Sequence, residues 1–168
     1  MRFPYNFKDV NVISPISITA AQGGNYNYVS MRGCQRASVC IRTGVLTSTA
    51  SAVTLTQAKN VEGNGSKALA FAKYWQQVPA SSPQDEQDLW QELDATSNTF
   101  NVASNRNYRI EVEASSLDVS NGFDCIRPEF TAPGTSLLLS CNIILWGLRY
   151  TGKGNANQPS ATVNREPN

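Results

Sequence analysis

Residues Tyr108 to Ala114 alternate strictly, with Tyr108, Ile110, Val112 and Ala114 on one side and Arg109, Glu111 and Glu113 on the other. That period of two is the mark of a strand with one face in a core and one face turned to water or a polar partner. Arg36 to Val45 has the same form: Ala37, Val39 and Ile41 oppose Ser38, Cys40 and Arg42, and Gly44 ends or bulges the strand. Val53 and Leu55 against Thr54 and Thr56 predict another strand, closed by a hairpin tip at Gly63, Asn64 and Gly65, residues that tolerate positive φ. Lys67 to Gln77 is mixed. Ala68, Ala70 and Ala72 favour helix, but Leu69, Phe71, Lys73 and Trp75 alternate, so the segment reads as one strand with Trp75 packed inward.

Asp88 to Asp94 and Thr99 to Val102 add two strand candidates, and Gly122 to Phe130 reads as a strand ended near Pro128. Leu137 to Tyr150 is apolar on both faces, which predicts a central strand covered on each side or one bent by a bulge near Gly147. Ser81 to Gln87 reads as a solvated loop with one helical turn begun at Ser82 and Pro83. About eight short strands, little helix and no fixed repeat point to an all-β protein, a jelly-roll-like β-sandwich. The expected organisation is an extended N-terminal arm and first strand over 1–21, the sandwich over 22–150 and a polar C-terminal tail over 151–168. Pro4 and Pro15 mark the arm; Gly152, Gly154, Pro159 and Pro167, with few apolar residues, mark the tail.

Composition narrows the chemistry. The 168 residues include no histidine, so neither a Ser-His nor a Cys-His couple can be built from this chain. Charged residues make up 16% and the formal net charge is +1, which leaves no basic field for nucleic acid or an anionic membrane. Met1 to Asp9 has no apolar stretch of signal-peptide length, so synthesis in the cytoplasm and free thiols are expected for Cys34, Cys40, Cys125 and Cys141. The cysteine spacings lack the C-x-x-C knuckle of a zinc site.

The remaining candidates have plainer readings. Gly63, Gly65, Ser66 and Lys67 depart from the phosphate-loop order because Ser66 separates the last glycine from the lysine; a hairpin turn accounts for them. Asp85, Glu86, Asp88, Glu92 and Asp94 lack the glycine of a calcium loop and read as a solvated acidic stretch. Asp118 and Asp124 flank Gly122 as turn residues more naturally than as paired catalytic carboxylates. No catalytic, cofactor or metal residue is assigned, and the chain is not expected to be an enzyme. Trp75 and Trp146 sit among apolar neighbours and are expected in the core, whereas Trp90, among Gln87, Asp88, Gln91 and Glu92, is the candidate surface contact.

Phe3-Pro4-Tyr5, the Ala37 to Val45 strand, and Val61 to Ala70 around Gly63, Gly65, Lys67 and Ala68 together resemble the capsid cement, or decoration, proteins of tailed bacteriophages. So do Ser116 to Phe130, the Arg149-Tyr150 pair and the Pro159 to Ala161 tail, a pattern that resembles the cement proteins of short-tailed phages infecting Bordetella. The resemblance implies a jelly-roll virion protein, made in the host bacterial cytoplasm, that binds the outer surface of an icosahedral capsid. It further implies the major capsid protein and a second copy of the chain, as a homodimer, as partners; the low core-forming content of Met1 to Ala21 and Thr151 to Asn168 adds the expectation that arm and tail become ordered only on the shell. The competing expectation is a carbohydrate- or receptor-binding β-sandwich of a phage tail component, in which exposed aromatics grip a host surface.

Overall fold

The structure is a computed structural model and describes residues 7–22, 26–47, 51–77 and 90–148. Its strands in chain order are β1 (Phe7–Ile18), β2 (Val29–Ser30), β3 (Arg36–Leu46), β4 (Ala52–Ala58), β5 (Lys67–Leu69) and β6 (Lys73–Gln77). They continue as β7 (Trp90–Asp94), β8 (Phe100–Asn101), β9 (Arg106–Glu113), β10 (Cys125–Phe130) and β11 (Leu137–Trp146). Two antiparallel sheets result: a six-stranded one ordered β1-β11-β3-β9-β6-β7, and a five-stranded one ordered β2-β10-β4-β5, with β8 joined to β4. The protein is an all-β sandwich. Helical content among the described residues is confined to two short 3-10 turns, Ala114–Ser116 and Val119–Asn121, and no helix there is long and apolar enough to cross a membrane.

The period-two strands deliver the core as their alternation requires. Ile41, Ile110, Ile143 and Leu145 from the larger sheet, and Val53, Leu55, Ile126 and Phe130 from the smaller, are all at most 2% exposed. Each such side chain contributes about 1.5–3 kcal/mol by leaving water. Two buried polar side chains are paired: Ser51 Oγ donates to the Thr131 carbonyl at 2.5 Å, and Gln57 Oε1 accepts from the Asp118 amide at 2.9 Å. Pro128 lies inside β10, which continues to Phe130 where the sequence predicts an end. It is tolerated because it falls between the Ile126–Val29 pair and the Gln22–Phe130 bridge, where no strand among the described residues needs its missing N–H.

Two expectations need correction. Lys67 to Gln77 is two strands, since the chain leaves β5 of the smaller sheet and enters β6 of the larger one across Ala70 to Ala72. The crossing changes phase: Leu69 and Phe71 point into the core, but so does Tyr74, which stacks on Phe100 at 4.0 Å. Residues 7–18 are an integral edge strand paired with β11 from Phe7–Trp146 to Ile18–Leu137, with Ile13 and Ile18 buried. The first strand expected within 1–21 is thus β1, Phe7–Ile18, at the edge of the larger sheet. Two irregularities, between Asn11 and Ile13 and between Ile13 and Ile16, hide its alternation in the sequence. Finally, the register shift in β11 opposite β3 lies at Leu137 to Leu139, the far end from Gly147, whose φ of 65° follows the strand. Residues 1–6, the predicted turn at Ser82 and the tail 151–168 lie outside the described residues.

Candidate functional site

Because Ala37, Val39 and Ile41 point into the core, Arg36, Ser38, Cys40 and Arg42 face outward, and the strand register extends this face across the larger sheet. One cross-strand row runs Asn142, Cys40, Arg109, Trp75, Glu92; another runs Trp146, Arg36, Glu113. All three tryptophans of the chain stand on this face. Trp75 and Trp146 are thus half-buried outward residues, contrary to the core placement their apolar neighbours predict. In β6 the phase change at Ala70 to Ala72 turns Trp75 out, and in β11 the odd-numbered residues Leu137 to Leu145 fill the core and leave Trp146 outside. Trp90, expected at the surface, is 41% exposed.

The aromatics form two corners. At one, the Trp146 ring lies 5.3 Å from Phe7 and 5.9 Å from the Arg36 guanidinium, and its Nε1 donates to Ser38 Oγ at 2.9 Å. Ser38 Oγ in turn donates to the Glu111 carboxylate, 2.8 Å from each oxygen, so a serine only 2% exposed orients both a tryptophan and an acid. At the other corner the Arg109 guanidinium lies 5.2 Å over Trp90 and is the direct cross-strand neighbour of Trp75. Arg109 Nε is buried without an acceptor among the described residues; Glu111 Oε1 at 3.9 Å is too distant for a hydrogen bond. Lys73 pairs with Glu92 beside Trp75, and that pairing raises its pKa. Four strand steps separate β11 from β7, about 19 Å at the usual spacing.

A third feature lies where β1, β11 and β3 end. Leu138 and Ile16, 48% and 49% exposed, line a shallow recess with Pro15 and Gly44. Gly44 is needed there, since a Cβ would stand 2.8 Å from Leu138 Cβ.

The other sequence candidates are committed to structure. Gly63 and Gly65, with φ of 90° and 64°, shape the β4–β5 connection, and strand β5 follows where a phosphate loop requires a helix. Lys67 Nζ sits 2.5 Å from Asp118 Oδ2 and 4.3 Å over the Phe123 ring. Asp118 also accepts from Asn121 Nδ2 and Ser120 Oγ; with Lys67 the largest influence, these bonds hold its pKa down to about 2. Asp124 pairs with Arg32 at 3.2 Å, so the two aspartates flanking Gly122 have separate partners. Glu92 and Asp94 lie on β7, and Asp85, Glu86 and Asp88 lie outside the described residues. Among the described residues no three His, Cys, Asp or Glu side chains gather as a metal-binding group.

A recess of about 330 Å³ lies between Met31, Cys34, Leu117 and Val119, with the Arg32–Asp124 pair at its wall. Its thiol is a poor nucleophile, because burial pushes the Cys34 pKa up to about 11 against the opposing charge of Lys8. All four cysteines are unpaired. The sequence alone does not disclose the Trp–Arg corners or the Ser38 node, since they depend on cross-strand register between segments up to 108 residues apart. The alternation in β3 and β9 does place Ser38 and Glu111 on outward faces, but it carries no signal that the two strands are neighbours. No family model, no curated protein and no solved structure matches this chain.

Proposed function

We propose that this protein is a virion structural protein that binds the outside of an icosahedral capsid and stabilises contacts between major capsid subunits. The observation that carries the reading is the outward face of the six-stranded sheet, where Trp75, Trp90 and Trp146 stand beside Arg109 and Arg36 on rigid strands. Tryptophan and arginine are the residues that most often dominate binding energy at protein interfaces, and placing them on strands limits the entropy lost on docking. The sequence resemblance to phage cement proteins supports the same reading.

Strand order supports the jelly-roll form. With β6, β7 and β8 set aside as an insertion, the larger sheet runs β1-β11-β3-β9 and the smaller β2-β10-β4-β5, the interleaving that two Greek keys produce. The mechanism is a linkage effect: a protein that binds the expanded shell and not its precursor or burst forms stabilises the expanded state. Symmetric repetition, with each unit a homodimer, makes modest individual contacts sufficient.

The same tryptophans favour a second reading, a carbohydrate- or receptor-binding sandwich of a phage tail component. Co-sedimentation of the full chain with expanded heads, run beside a glycan array, separates the two. Binding to heads, with delayed thermal rupture, is the expected result. Glycan binding without head binding would overturn the cement reading.

A further inference from the structure

We infer that Asn64 is a site of spontaneous covalent modification, converting to aspartate and isoaspartate through a succinimide, whereas Asn121 in the same dipeptide is protected by the fold. The chain holds two Asn-Gly pairs, Asn64-Gly65 and Asn121-Gly122. In both, the following glycine removes the Cβ that would hinder its amide nitrogen from approaching the asparagine side chain. Their surroundings differ.

At Asn121 both reacting groups are engaged. Its Nδ2 donates to Asp118 Oδ1 and Oδ2, each at 2.9 Å, and the Gly122 amide donates to the Val119 carbonyl at 2.9 Å. Closing the ring there requires breaking all three bonds. Asn64 and Gly65 are both exposed in the connection between β4 and β5. Asn64 uses only its main chain, its amide donating to Asn60 Oδ1 and its carbonyl accepting from Lys59 N, each at 3.0 Å. Neither its carboxamide nor the Gly65 amide is tied to a partner among the described residues.

The reaction needs no co-reactant other than water. The Gly65 nitrogen, losing its proton to solvent, attacks Asn64 Cγ; the new N–Cγ bond forms as the Cγ–NH2 bond breaks, and ammonia leaves with that proton. Water then adds to either imide carbonyl, giving aspartate, or isoaspartate with the main chain rerouted through the former side chain. Each product carries one added negative charge, which takes the formal net charge from +1 to zero. The isoaspartate also lengthens the main chain between two anchoring bonds of the hairpin connection.

The test incubates the full chain at mildly alkaline pH, folded and in urea, and follows both Asn-Gly peptides by mass and by isoaspartyl methyltransferase labelling. In the folded chain the Asn64 peptide is expected to convert on the order of tenfold faster than the Asn121 peptide, a difference that collapses in urea as local protection is lost. Equal rates in the folded chain, or an intact Asn64 over a period in which the unfolded chain converts at both positions, would overturn the inference. An Asn64→Gln variant should remove the fast component and leave the slow one unchanged. A fast component that survives in that variant would also overturn it.

Discussion

Phe100 ties the two sheets together, and replacing it with alanine should be among the most damaging single changes. The ring is 6% exposed, stacks on Tyr74 at 4.0 Å and 9°, and meets Phe71 edge-on at 6.2 Å and Tyr108 at 5.2 Å. Its strand, β8, pairs with β4 of the smaller sheet, whereas Tyr74 and Tyr108 belong to β6 and β9 of the larger. Truncation to alanine leaves a cavity and should cost about 3–5 kcal/mol. Phe100→Leu retains most of the apolar volume and forgoes chiefly the ring contacts, at about 0.5–1.5 kcal/mol per aromatic pair. For a chain of this size each kcal/mol lowers the melting temperature by about 2–4 °C, so the alanine variant should melt roughly 6–20 °C below wild type. Urea unfolding followed by tryptophan fluorescence, with slopes compared, measures the loss. A cost below about 1 kcal/mol for Phe100→Ala would refute the claim that this ring bridges the sheets.

Ser38→Ala strips the acceptor from Trp146 Nε1 and the donor from Glu111, and should cost about 1–3 kcal/mol with a changed Trp146 emission; an unaltered spectrum and stability would contradict the node. Asp118 titrates from the ordinary carboxylate value of 3.8 down to about 2 in the folded chain, so its contribution is complete above 3.8 and lost as pH falls toward 2. Asp118→Asn should therefore flatten the acid limb of stability between pH 4 and 2; an acid limb identical to wild type would refute that. Thiol labelling of the folded chain near neutral pH should be slow throughout, with half-buried Cys40 first and buried Cys141 last, because burial raises both pKa values. Rapid labelling of Cys141 without unfolding would show that its strand is not packed as described.

What the sequence discloses is decided by how far each strand's environment is local. β3 and β9 have one buried and one wet face, so Ala37, Val39, Ile41, Tyr108, Ile110 and Val112 declare the core without knowledge of their partners. β11 does not, because Ile144 and Trp146 on its outward side are as apolar as Ile143 and Leu145 on its inward side. Its phase is set by β1 and β3 on either side. Trp75 is misplaced for a related reason: a switch of sheets between Leu69 and Lys73 inverts the parity, and no glycine or proline marks it. The apolar and aromatic residues of the outward sheet face are visible in the sequence, but their assembly into corners requires the register of β11, β3, β9 and β6.

The measurement that bears most directly on the account is the affinity of wild type and Trp90→Ala for expanded heads assembled from the major capsid protein of the same genome. Trp90 is exposed, so the variant should keep the wild-type melting temperature while its binding weakens on the order of tenfold or more, as removal of an interface anchor does. Equal binding by the two proteins would show that this sheet face is not the contact, and no binding by the wild type would contradict the capsid role itself.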